Sequence, residues 1–333
     1  MSHRTNKTYV NEPPEIIFIE PTNICNLKCS MCPLQYTKRK NRLMGFLEFK
    51  NIIDSIANFD KNIRINFYFF GEVFVNQKAL AMIGYAKNVG LKMEFSTNLL
   101  MLDEEKICNW LAMLNEDDTI LLSLDAFGKD LYEKMRVGGN YERMIENFKW
   151  ILREHTRKKN KPTLILQGVF NWIPEKFGAK NILPTKEISH VNEFLNLILK
   201  ETWSAINKSY NDERISDFIN SYKDQYKEGH LIKQICDKVI VYIKDVDDWA
   251  GQMGDRAKLN TLGDYQKNCD FPWKMMVVQS NGDITVCCKD HNGSINIGNA
   301  FKEDLKDIWN GEKIQALRQD FLDVKRNEIC KHC

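Results

Sequence analysis

Three cysteines, Cys25, Cys29 and Cys32, stand at C-x3-C-x2-C in the stretch CNLKCSMC. Three thiolates can hold three irons of a [4Fe–4S] cube and leave the fourth iron open. An open iron can chelate a small molecule through nitrogen and oxygen, which a closed electron-transfer cluster cannot. A zinc site would need a fourth ligand, and nothing inside the loop supplies one. Cys269, Cys287, Cys330 and Cys333 make a second set, of four, that ends in C-x2-C. Four cysteines suit a closed cluster or a structural zinc, and spacing alone leaves both open. Cys288 adjoins Cys287, and neighbours on an extended strand face opposite sides. It reads as a buried thiol near the site or as a hydrogen-atom donor. His332 reads as a spacer. Cys108 and Cys236 stand apart and read as small buried hydrophobes.

The elements that must carry these ligands alternate between strand and helix. Strands are expected at 15–20, 63–70, 91–96, 119–125, 163–170 and 238–244, from β-branched and aromatic runs. Helices are expected at 48–58, 78–88 with Gly90 as the stop, 103–114 started by Asp103, and 141–154. This pattern predicts an α/β fold: a partial (β/α)6 barrel with a parallel sheet and right-handed crossovers. The cysteine loop follows the first strand and so falls on the rim where ligands sit in such sheets. Val191 to Gln234 reads as a polar, helical insertion. A polar connector follows, then a hairpin turning at Asn281-Gly282, then helices at 305–309 and 312–321. The domain expectation is a polar tail at 1–14, the barrel at 15–250, and a small α+β iron–sulfur domain at 251–333.

Composition bounds the partners. The 333 residues are 43% hydrophobic and 28% charged, with a net charge of +2, which argues against a nucleic-acid binder. No apolar run reaches membrane-spanning length, and the first residues carry no secretory signal, so the expected location is cytoplasmic, with no membrane partner. Ten cysteines in a reducing compartment point to metal or cluster ligation rather than disulfides. The basic runs Lys38-Arg39-Lys40 with Arg42, and Arg157-Lys158-Lys159 with Lys161, read as solvated faces. The first could also dock an acidic electron donor.

C-x3-C-x2-C behind a first strand resembles the radical S-adenosylmethionine (SAM) enzymes, over roughly residues 15–244. The resemblance implies that the open iron binds the amino and carboxylate groups of SAM. Reductive cleavage then gives a 5′-deoxyadenosyl radical that abstracts hydrogen from carbon. Phe70-Gly71-Glu72-Val73 resembles the family's G-G-E-P stretch, which receives the methionine ammonium, with Phe and Val as departures. Thr97 and Asn98 resemble its T-N, and Ser123 with Asp125 its S-x-D. Arg136 fits the element where an Arg grips the SAM carboxylate, for which a planar donor fork is suited. Met31 stands where many relatives carry an aromatic residue against adenine. The segment with the four cysteines resembles a SPASM, or twitch, domain, which implies one closed auxiliary [4Fe–4S] cluster. The implied cofactors are two [4Fe–4S] clusters and SAM, and the implied electron donor is a flavodoxin or ferredoxin.

A closed cluster near the substrate suits oxidation, because a deprotonated substrate radical is strongly reducing. The expected reaction is therefore oxidation of a small polyol, sugar or aminocyclitol alcohol to a ketone, as in the similar dehydrogenases of antibiotic pathways. A redox-neutral epimerase using Cys288, and a SPASM-type peptide maturase, are the alternatives. Peptide maturases often carry a recognition domain of about 80 residues, and 24 residues precede Cys25, so that domain is not expected.

Overall fold

Alternation of apolar side chains sets the strands, and each strand buries one face under helices. The computed structural model describes residues 6–126, 128–170, 188–205, 212–221, 230–245, 249–250, 252, 269–325 and 327–331. In chain order the first strands are β1 Ile16–Ile19, β2 Lys28–Cys29, β3 Arg64–Asn66, β4 Lys92–Thr97, β5 Thr119–Ser123 and β6 Arg136–Val137. Then come β7 Thr163–Phe170, β8 His230–Cys236, β9 Val239–Asp245, β10 Met275–Val278, β11 Asp283–Thr285 and β12 Gly298–Asn299. The helices between the early strands are α1 Phe46–Phe59, α2 Ala79–Val89, α3 Glu104–Met113, α4 Lys129–Met135 and α5 Tyr141–Arg157.

The chain divides into two units. One comprises Met1–Cys25, Pro33–Phe95 and Asp248–Cys333. Its strands run in the order β12-β11-β10-β1-β3-β4. β1 lies between β10 and β3 and is parallel to both. Ile17, Ile19, Ile65, Phe67 and Phe95 are all fully buried, and Phe67 meets Phe49 of α1 at 5.2 Å between ring centroids. Phe18, Asn66 and Glu94 lie in register on the opposite face. The Asn281-Gly282 turn joins β10 and β11 as an antiparallel hairpin. Gly282 takes φ +86°, and a Cβ there would come within 2.6 Å of the Phe301 ring, so glycine is required. Two helices, Leu305–Trp309 and Glu312–Leu322, complete this unit's larger elements.

The other unit comprises Asn26–Cys32 and Ser96–Asp247. Its parallel strands β5, β7 and β9 run in register, and β8 closes the edge antiparallel to β9. Asp103 caps α3 by accepting the Lys106 N–H at 2.9 Å, as its position predicts.

Two expectations are corrected here. The 191–234 insertion is not uniformly helical, since its end forms β8. Nor is it simply polar: within the helix Ile188–Ala205, residues Phe194, Leu195, Ile198 and Leu199 are buried. Their i, i+1, i+4, i+5 spacing makes one apolar stripe. Cys108 and Cys236 are half-buried rather than core residues.

Candidate active site

In the second unit the cysteine loop is held by a ladder. β2 pairs antiparallel with β6, which sets Cys29 opposite Arg136. Ser30 N–H donates to the Met135 carbonyl at 2.9 Å, and Cys32 N–H to the Cys29 carbonyl at 3.1 Å. Asn98 Nδ2 donates to Asn26 Oδ1 at 3.0 Å, while its own Oδ1 accepts the Leu100 N–H. Thr97 Oγ1 accepts the Leu99 N–H, which supports Leu99 at φ +72°. Met31 is buried, and the hydroxyls of Ser96 and Ser123 stand 3.5 Å apart.

Arg136 is the cation of this loop. Its Nε donates to Asp125 Oδ2 at 2.6 Å, its Nη2 pairs with the same carboxylate, and its Nη1 reaches Cys29 Sγ at 3.7 Å. The guanidinium expected on the SAM carboxylate is thus engaged by Asp125 and a cysteine. Burial acts to remove the Arg136 proton, but the charges of Asp125 and Cys29 outweigh it and push the group up. Burial also pushes the Asp125 carboxyl up, against the pull of Arg136. Asp125 sits at φ +59°, and its Oδ1 and the Tyr132 hydroxyl are both buried without a hydrogen-bond partner among the described residues. A strained acid and two orphaned polar atoms beside a cysteine mark a place built for more than packing.

In the first unit, Phe70-Gly71-Glu72 packs on the segment that leads into Cys25. Gly71 takes φ +89°, and a Cβ there would lie 2.4 Å from the Thr22 carbonyl oxygen and 2.9 Å from that of Ile24. Glu72 N–H donates to the Ile24 carbonyl at 3.0 Å, and its carboxylate accepts the Phe74 N–H at 3.4 Å. Glu72 is buried, and Cys25 is half-buried.

The sequence reading missed what holds this segment. Glu20 is fully buried at the end of β1. Its carboxylate accepts both terminal nitrogens of Arg39 at 2.6 and 2.7 Å, the Ser280 N–H at 2.9 Å and the Phe70 N–H at 3.4 Å. Arg39 Nε donates to the His291 carbonyl at 2.6 Å. Arg39, expected on a solvated or donor-docking face, is instead an internal tie. Arg42 pairs with Glu48 and lies over the Phe301 ring. Only the acid after β1 could have signalled this, as a charge where an apolar run should continue.

The auxiliary cysteines also lie in the first unit. Cys287 Sγ accepts the Lys289 N–H at 3.4 Å. Burial, then the charge of Cys288, pushes the Cys287 thiol up, with Cys330 adding to it. Cys288 and Cys330 are therefore each within electrostatic reach of Cys287. Cys269 is half-buried. Cys333 and His332 lie outside the described residues. Among the described residues no three cysteine, histidine or acidic side chains converge on the position of a single ion. All-sulfur donors, a backbone N–H on Cys287 and a guanidinium on Cys29 fit iron–sulfur clusters, whose sulfurs accept such hydrogen bonds.

Residues 19–169 match the radical SAM superfamily model, and residues 269–333 match that of the SPASM iron–sulfur cluster-binding domain. The chain carries a radical SAM domain and a SPASM domain. Its cofactors are accordingly SAM and two [4Fe–4S] clusters. It is similar to the antilisterial bacteriocin subtilosin biosynthesis protein AlbA of Bacillus subtilis (strain 168), with 21% identity over 317 residues. That alignment covers 94% of this chain, and the chain spans 62% of the length of AlbA. A shorter stretch of 68 residues is 28% identical to the S-adenosyl-L-methionine-dependent 2-deoxy-scyllo-inosamine dehydrogenase of Niallia circulans, covering 20% of this chain and 27% of that protein. Among solved structures, Streptococcus suis SuiB bound to its precursor peptide SuiA superposes with a TM-score of 0.60 at 16% identity, over 91% of this chain and 66% of SuiB. That likeness shows the fold, the partial barrel of radical SAM proteins. No helix among the described residues is long and apolar enough to cross a membrane.

Proposed function

We propose that this radical SAM enzyme oxidises an alcohol carbon of a small polyol, sugar or aminocyclitol to a ketone. The observation that carries the reading is the all-cysteine set Cys269, Cys287, Cys330 and Cys333 within the SPASM match at 269–333, where the charges of Cys288 and Cys330 both reach Cys287. A second, closed cluster there gives the substrate's second electron a place to go. Similarity to the inosamine dehydrogenase supports the same chemistry.

Cys25, Cys29 and Cys32 hold the SAM-binding cluster in this reading, and Cys269, Cys287, Cys330 and Cys333 the auxiliary one. When bound, SAM and its cluster supply the 5′-deoxyadenosyl radical. Glu72, Gly71, Thr97, Asn98, Ser123 and Met31 frame SAM. Arg136 holds positive charge at Cys29, and Asp125 fixes that guanidinium. The barrel functions as 15–250 and the auxiliary domain as 251–333. A flavodoxin- or ferredoxin-type donor in the cytoplasm reduces the enzyme.

Iron and sulfide counting after anaerobic reconstitution tests the cofactor assignment. About eight irons per chain are expected, and about four irons with bound zinc would overturn the auxiliary cluster. SAM-dependent ketone formation from 2-deoxy-scyllo-inosamine and simple inositols tests the reaction. Peptide modification is the second reading, favoured by the alignment to AlbA across 94% of this chain. It gains if 5′-deoxyadenosine forms while no polyol is oxidised.

A further inference from the structure

The first unit carries a polar cluster that neither set of cysteines accounts for. On the face of β1, β3 and β4 away from α1, the row Phe18, Asn66 and Glu94 is in register across three strands. Tyr68 lies beside it, with its ring edge-on to Phe18 at 5.5 Å. Its hydroxyl donates to Glu94 Oε1 at 2.5 Å. Asn66 Nδ2 donates to the same oxygen at 3.3 Å and to the Tyr68 hydroxyl at 3.2 Å. The other Glu94 oxygen, Oε2, has Arg64 Nη1 at 3.8 Å, beyond good hydrogen-bonding distance.

What remains unsatisfied is all acceptor. Asn66 is 5% exposed, and its Oδ1 has no hydrogen-bond partner among the described residues. An orphaned buried acceptor is costly, so its survival calls for an incoming donor. The amide cannot simply be flipped, because that would turn its oxygen toward an acceptor-only carboxylate. The Glu94 side chain is 16% exposed and so can be reached. Burial and the charge of Glu94 push the Tyr68 phenol well up, with Cys288 adding to it, so Tyr68 stays a donor to the carboxylate. Cys288, next to Cys287, is thus close enough for its charge to act on Tyr68.

We propose that Asn66, Tyr68 and Glu94 form the substrate subsite, which takes a hydroxyl or ammonium group, and that Glu94 is the base for an alcohol oxidised there. The proposal rests on the oxidation reading above for the second part only. The step balances as follows: the carbinol hydrogen atom goes to the 5′-deoxyadenosyl radical, and the hydroxyl proton goes to Glu94. The remaining electron goes to the auxiliary cluster as the C=O bond forms. Tyr68 and Asn66 hold the Glu94 oxygen in place for that transfer.

The test uses the reconstituted full chain with 2-deoxy-scyllo-inosamine, which offers only hydroxyl and ammonium donors. Wild type is expected to bind it in calorimetry, and Glu94→Gln to bind about tenfold or more weakly. Ketone formed per 5′-deoxyadenosine is expected to fall about 10²-fold in Glu94→Gln, with SAM cleavage retained. Tyr68→Phe removes one donor that holds the Glu94 carboxylate, so it should bind the inosamine several-fold more weakly and form less ketone per 5′-deoxyadenosine, with SAM cleavage retained. Absence of binding to wild type overturns the subsite. Binding and turnover unchanged in Glu94→Gln overturn it too. Binding without oxidation sinks only the oxidation reading, and the binding loss in Glu94→Gln and Tyr68→Phe still decides the subsite. Should Glu94→Gln fail to fold, Tyr68→Phe decides alone: unchanged binding and, where ketone forms, an unchanged yield per 5′-deoxyadenosine overturn the proposal.

Discussion

Replacing Arg39 by Met is the most direct test of the Glu20 tie. The substitution removes both Arg39 hydrogen bonds to Glu20 and the bond from Nε to the His291 carbonyl. Glu20 has no exposure, so its charge cannot be recovered by water. Two backbone N–H groups remain on it, from Ser280 and Phe70, the latter long at 3.4 Å. Breaking one side of a buried pair costs about 3–5 kcal/mol, because the abandoned charge stays buried. A domain of this size loses about 2–4 °C of Tm per kcal/mol, so a fall of about 10 °C is expected. Circular dichroism of the anaerobically reconstituted chain measures it, with Lys40→Met as the control. Lys40 is exposed one residue away, and its replacement should stay within about 0.5 kcal/mol of wild type. If Arg39→Met and Lys40→Met unfold within about 3 °C of each other, the tie does not stabilise the fold as argued. Because the tie joins the Phe70 segment to Ser280, SAM binding should weaken in Arg39→Met as well.

Gly71→Ala puts a methyl group against two backbone carbonyls at a left-handed residue, and a loss of about 3 kcal/mol or more is expected, seen as a lower Tm with weakened SAM binding. Cys287→Ala should lose about half of the bound iron, while Cys288→Ala should keep it; the reverse outcome moves the ligand to Cys288. His155 is buried and its Nε2 bonds the Pro162 carbonyl, and burial lowers its pKa to about 4. A depressed folded pKa means its stabilising contribution is complete above the ordinary histidine value and is lost as pH falls toward 4. His155→Gln should therefore flatten the pH dependence of the unfolding free energy, by about 2 kcal/mol between pH 7 and pH 5, measured by denaturant titration at each pH. The charges of Lys161, Asp237 and Lys158 also act on the ring. An equal slope in the variant would refute the assignment.

The sequence by itself determined most of the strand and helix order and singled out the cysteine sets proposed as ligands, because apolar periodicity and thiol spacing are local properties. Gly71 and Glu72 were legible for the same reason, as was the Asn281-Gly282 turn. Long-range pairing was not. β10 adding to β1, β2 pairing β6, and β8 turning back on β9 depend on strands meeting across many residues. Arg39 read as surface because a basic run looks alike whether or not an acid waits inside, and Glu20 waits 19 residues earlier. Asn66, Tyr68 and Glu94 share no motif. Tertiary structure alone decided that cluster, since parallel register sets Asn66 beside Glu94 and leaves one acceptor without a donor.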